Sequence, residues 1–164
     1  MSYEAPPQSP DWSFQWKKWL SGFHRHTEER GTWTPVYEGA TTNPSSVTYD
    51  IQAGEYIRHG SMVTIWFEVG TDALTVGSGN LQLTGLPFVC SSLVTPLYTP
   101  VASWAFVGAD STYNSARPVF MRISDGDNFL VFFTADRTQV DASATYLNTT
   151  TNDNRISGYL TYSI

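Results

Sequence analysis

The side chains able to do chemistry are few in this chain and poorly spaced for it. Asp125-Gly-Asp-Asn128 is the densest acidic run. A calcium ion takes about six or more oxygen ligands, and an EF-hand loop runs on to a glutamate at its twelfth position. No such continuation follows Asn128. Asp, Gly and Asn also supply the dihedrals of a tight hairpin, so a turn is expected here. His24, His26 and His59 are the only histidines. A catalytic zinc needs three protein ligands, whereas His24 and His26, two residues apart, would point to different faces of a helix. About a threefold axis His26 could form a ring holding a metal or an anion; ordinary polar positions are the expectation. Cys90 is the only cysteine and follows Phe88-Val89. It rules out an intrachain disulfide framework and is expected to be a small buried apolar residue. Gly77-Ser-Gly79 lacks the Gly-x-Ser-x-Gly elbow of serine hydrolases. Carboxylate pairs for sugar cleavage meet in space rather than in sequence, and no spacing points to them. We expect a non-enzymatic chain with no catalytic residue, no metal and no cofactor.

The elements that would carry these residues divide near Gly31. Residues 1 to 10 hold Pro6, Pro7 and Pro10 and should be extended or irregular. From Asp11 to Arg30 the pattern is helical. Ser9 can cap, Pro10 fits the first helical position and Asp11 suits the positive end of the helix dipole. Trp12, Trp16, Trp19, Phe23 and His26 recur at spacings of four and three, a seam on one helix face. Gly22 weakens a helix by about 1 kcal/mol relative to Ala, so the helix can stop there. From Trp33 the period becomes two. Strands are expected at Ser46–Ile51, Glu55–His59, Ser61–Val69, Asn80–Thr84, Pro118–Ile123, Phe129–Phe133 and Ile156–Tyr162. Weaker candidates are Val36–Tyr37, Thr99–Val107 and Thr145–Leu147. Turns are expected at Asn43-Pro44, Ala53-Gly54, Gly77–Gly79, Asp125–Asn128 and Thr149–Asn154. Eight to ten short strands at this spacing predict an all-β, antiparallel jelly-roll-like sandwich or barrel. The expected organisation is an arm and helix over residues 1–30 and a β knob over residues 31–164.

Bulk composition narrows the function classes. Of 164 residues, 41% are hydrophobic and 15% aromatic, while 15% are charged against a usual share of about 25%. Aromatic enrichment marks permanent protein contacts as well as β cores. Net charge is −6 and the pI about 4.8. Binding nucleic acid through phosphates needs a basic face, which nine scattered Lys and Arg do not supply. No stretch approaches the roughly 20 apolar residues of a membrane span, and the start Met-Ser-Tyr-Glu-Ala-Pro-Pro lacks the basic and apolar regions of a secretion signal. A soluble protein made in the cytoplasm is expected.

Three phrases in fixed order carry the most information: Gly31-Thr-Trp-Thr-Pro35, then Gln52-Ala-Gly-Glu-Tyr56 leading to Gly60-Ser-Met-Val63, then Gly79-Asn-Leu-Gln-Leu-Thr-Gly-Leu-Pro-Phe88. Together they resemble the small all-β knob domains of tailed-bacteriophage structural proteins, found in capsid decoration proteins, head fibres and tail fibres. The resemblance covers roughly residues 31 to 164. It implies a virion part, assembled in the bacterial host cytoplasm and built as a homotrimer. Its expected partner is the major capsid protein or another virion protein. The aromatic helix then reads as the assembly anchor through Trp12, Trp16, Trp19, Leu20 and Phe23. That face represents about 150 to 250 Å² per aromatic side chain, more than a monomer leaves bare. It can fold back on its own β domain, bundle with sister chains or dock onto a larger scaffold. Only 30 residues precede the knob, too few for a long shaft, which favours a capsid decoration (cement) or head-fibre role. The alternative is a tail-fibre tip whose loops 70–79, 108–117 and 148–155 recognise a host glycan or protein.

Overall fold

A computed structural model describes residues 28–91, 95–100, 103–106, 118–143, 147 and 154–164. Ten strands follow in chain order: β1 Glu28–Trp33, β2 Val36–Gly39, β3 Ser45–His59, β4 Met62–Thr75, β5 Leu81–Thr84, β6 Leu97–Pro100, β7 Ser103–Phe106, β8 Phe120–Ile123, β9 Leu130–Phe133 and β10 Asn154–Ser163. They form two five-stranded sheets, β1-β3-β4-β10-β7 and β2-β5-β9-β8-β6, and every pairing among them is antiparallel. The all-β architecture therefore stands. No helix among the described residues is long and apolar enough to cross a membrane.

Alternation along β4 sets the core. Val63, Ile65, Phe67 and Val69 point inward and are buried, while Met62, Thr64, Trp66 and Glu68 take the opposite face, as the period-two geometry of a strand requires. Ile156, Leu160 and Tyr162 of β10 join them, and Tyr37, Leu81, Leu83, Met121, Ile123 and Phe132 face them from the second sheet. β9 is buried along its whole length, matching its unbroken apolar sequence. A buried polar group ties the sheets at one end. The Tyr37 hydroxyl donates to the Asn154 carbonyl at 3.0 Å, the Tyr37 amide donates to the Tyr49 hydroxyl at 3.0 Å, and the Asn154 side chain donates to Thr71 Oγ1 at 2.9 Å. These groups are thereby satisfied rather than left to cost desolvation, whereas Arg122 Nε is buried without a hydrogen-bond partner.

Three expectations need correction. Ala53-Gly54 is no turn. Gly54 lies in the middle of β3 with extended backbone, and the two short strands expected around it form one of 15 residues. Thr99–Val107 is not one strand but parts of two, β6 and β7, which lie in different sheets. Glu28–Arg30, placed in the helical stretch, belong to β1, so strand structure begins before the composition break at Gly31. Charged edge strands carry no apolar alternation to reveal them. The helix itself, residues 11–27, lies outside the described residues.

Candidate functional site

The three phrases of the sequence converge on one inner corner of the first sheet. β1 and β3 pair so that Gly31 faces Tyr56 and Trp33 faces Gly54. A Cβ on Gly54 would come within 2.6 Å of the Trp33 ring and 2.7 Å of its carbonyl oxygen. Only a glycine lets the indole lie flat there. The Trp33 indole N–H donates to the Glu55 carbonyl at 3.2 Å, and its ring meets Phe67 edge-on at 6.1 Å. Gln52 donates from Nε2 to the Pro35 carbonyl at 2.9 Å, closing the first phrase onto the second. The third arrives through Gly85, whose φ of +88° only glycine adopts readily. It brings Phe88 against Tyr56, edge-on at 5.3 Å, beneath the Arg58 guanidinium at 5.1 Å. Tyr56 and Arg58 both bond Glu29, at 3.0 and 3.3 Å. The Tyr162 hydroxyl fixes the Phe88 carbonyl at 3.0 Å, and burial lifts that phenol well above its ordinary pKa. Every one of these contacts is packing.

Two of the features singled out for chemistry, Asp125–Asn128 and Cys90, are held in the fold by backbone hydrogen bonds. Gly126 takes φ +81°, Asp127 Oδ2 accepts from the Ser124 amide at 2.8 Å, and the Gly126 amide donates to the Cys90 carbonyl at 2.8 Å. Asp125–Asn128 is thus the hairpin turn between β8 and β9. Cys90 is buried, and burial followed by the nearby Asp125 and Asp127 carboxylates raises its thiol pKa, which suppresses the reactive thiolate. Ser78 bridges to Thr42 in a loop. His59 is exposed at the end of β3, 3.9 Å from Glu28. Among the described residues no three His, Cys, Asp or Glu side chains gather as a metal site. Trp12, Trp16, Trp19, Leu20 and Phe23, with His24 and His26, lie outside the described residues.

What sequence reasoning passed over is the outer face of the same sheet. Thr32, Glu55, Trp66 and Tyr159 line up across β1, β3, β4 and β10. Trp66 is 41% and Tyr159 56% exposed. One groove beside Trp66, about 680 Å³, is lined by Arg30, Thr32, Glu55 and Ile57. A second, about 350 Å³, runs between Trp66 and Glu68 over Ala53, Gly54, Ser157 and Gly158. Glu68, in its lining, pairs with Arg155 at 2.6 Å. The signal was present: Trp66 sits in the same alternation phase as Thr64 and Glu68, the polar phase of its strand.

Comparison with protein-family models, with curated proteins and with solved structures finds no match. The functional reading therefore rests on the residues themselves.

Proposed function

We propose that this protein is a non-enzymatic structural component of a tailed-bacteriophage virion. In this reading it is a trimeric capsid decoration or head-fibre protein, held by its N-terminal segment and stabilising the shell. One observation carries the proposal: the three phrases behind the resemblance interlock as a single packing unit, Trp33 on Gly54 and Phe88 on Tyr56. They are spent on holding a rigid body together, the property a virion knob needs. A jelly-roll-like description is supported by the chain crossing between the sheets at β1–β2, β2–β3, β4–β5, β6–β7, β7–β8 and β9–β10. The β1 edge carries Glu28 bonded to Arg30, and Glu29 paired with Arg58. Charges of this kind blunt a sheet edge against pairing with another chain. Attachment then falls to the aromatic segment Trp12, Trp16, Trp19, Leu20 and Phe23 and to sheet faces.

A decoration protein binds the assembled shell and not its separate subunits, so it stabilises the shell by mass action. Three arms acting together raise the effective affinity beyond that of one. The test is a particle assay. Virions lacking the protein should release their genome at lower temperature and adsorb to host cells normally. Normal heat resistance with lost adsorption would overturn decoration in favour of a tail-fibre tip.

A further inference from the structure

We propose that the outer face of the β1-β3-β4-β10 sheet binds a neutral oligosaccharide across Trp66 and Tyr159. This goes beyond the virion role and does not depend on it.

Two exposed aromatics by themselves need no explanation. Here they stand in adjacent register positions, Trp66 opposite Tyr159, and grooves open on both sides of Trp66. Polar side chains stand among a mainly apolar lining: Thr32 and Glu55 on one side, Ser157 and Glu68, itself paired with Arg155, on the other. Thr64 and Thr161 form a hydroxyl pair at 2.8 Å one row below. A protein interface core of this kind would be depleted in charge and hydroxyl. A pyranose offers what the surface lacks. Its C–H face carries the slightly positive hydrogens that pack on the negative face of an aromatic ring, and its hydroxyls donate to carboxylates and threonines at the rim.

Charge selects the class of sugar. Glu55 lines both grooves, and its carboxylate makes no ion pair among the described residues. Arg155, two strands away from Glu55 and beyond the lining of either groove, is already neutralised by Glu68. With a chain charge of −6, an anionic glycan would meet repulsion and no free cation in the second groove. A neutral glycan meets a strong acceptor instead. From β1 to β10 the platform spans three strand spacings, about 14 Å, which suits several linked rings rather than one. The small residues Ala53 and Ser157 flank Glu68 in its own row, and Gly54 and Gly158 lie between that row and the Trp66 row, leaving a ring room to lie against the strands.

The full-length protein should be titrated with cellohexaose, maltohexaose, mannohexaose and chitohexaose, reading tryptophan fluorescence and the indole N–H signals by NMR. Trp66→Phe identifies the Trp66 signal. At least one sugar should shift it, with dissociation constants at or below the millimolar range and little dependence on salt, as a neutral ligand requires. Trp66→Ala should weaken binding roughly ten-fold or more and Tyr159→Ala and Glu55→Gln several-fold, with the melting temperature preserved because all three lie on the surface. Failure of all four sugars at about 10 mM would overturn the proposal. So would binding that survives Trp66→Ala. A fall in oligomeric mass on Trp66→Ala without sugar binding would reassign the face to contact between copies of this chain.

Discussion

Gly54→Ala sets two physical expectations against each other. A glycine inside a strand costs about 0.5–1 kcal/mol relative to Ala through lost backbone freedom, so propensity alone makes this substitution stabilising. Geometry says the reverse. The new methyl would lie 2.6 Å from Trp33 Nε1 and Cε2 and 2.7 Å from the Trp33 carbonyl oxygen. A ring could swing aside, but a backbone oxygen in a paired strand moves only by displacing β1. Overpacking of this kind costs about 1–3 kcal/mol. Displacing the indole also breaks its hydrogen bond to the Glu55 carbonyl, worth about 0.5–1.5 kcal/mol. Set against the propensity gain, the net loss is about 0.5–4 kcal/mol. At roughly 2–4 °C per kcal/mol for a chain of this size, the midpoint should fall by about 1–16 °C. Urea and thermal unfolding of the two proteins measure it directly. Trp33→Ala alone should cost about 3–5 kcal/mol, and Gly54→Ala added to it should then cost clearly less than in the parent, because the ring clash and the indole hydrogen bond have gone while the 2.7 Å approach to the carbonyl oxygen of residue 33 remains. A Gly54→Ala protein as stable as the parent would refute the packing account, as would equal costs in both backgrounds.

Other expected outcomes follow from the buried tyrosines, the hairpin glycine and the anchor. Burial raises the phenol pKa of Tyr37 and Tyr162. Their unfolded forms ionise first, so stability should be flat below about pH 10 and decline above it, as pH-dependent unfolding will show. Tyr37→Phe should cost about 1 kcal/mol by leaving the Asn154 carbonyl without its 3.0 Å donor, and should soften that alkaline decline. Gly126→Ala meets no neighbour within 4 Å, so only its φ of +81° opposes it, and a loss of about 1–2 kcal/mol in the same melts is expected. Trp16→Ala and Trp19→Ala should each weaken particle binding by about 2 kcal/mol or more if those side chains are anchor hot spots; unchanged co-sedimentation with virions would dismiss the anchor.

The strand pattern was legible where one face is core and the other water. Ser61–Val69 alternates because Val63, Ile65, Phe67 and Val69 share an interior, and Asp125–Asn128 declared its turn through residues suited to positive φ. Legibility failed where one residue type serves two purposes. Gly54 reads as a turn because glycine does punctuate chains, yet here its missing side chain makes room for an indole 21 residues away in sequence. That partner cannot be seen locally. Glu28–Arg30 gave no strand signal because an edge strand is stabilised by its neighbour's hydrogen bonds while its side chains face water. Trp66 was hidden differently. Counting it among apolar residues dissolves the alternation, and only its phase separates a surface tryptophan from a core one.

The same rows of the sheet serve inside and outside. Gly54, Phe67 and Gly158 stand side by side across β3, β4 and β10, and a Cβ on Gly158 would reach 2.9 Å from Phe67 and 3.2 Å from Met121. Inside, the two glycines admit the Trp33 and Phe67 rings. Outside, the same stretch of backbone, flanked by Ala53 and Ser157, forms the floor of the groove beside Trp66. A change at Gly54 or Gly158 therefore disturbs core packing and groove shape together, whereas a change at Trp66 or Tyr159 alters the surface alone. The rigid corner built by the three phrases holds the strands beneath Trp66 in register. A flat binding face needs that support, since its aromatic rings can meet a ligand only if the backbone under them does not move.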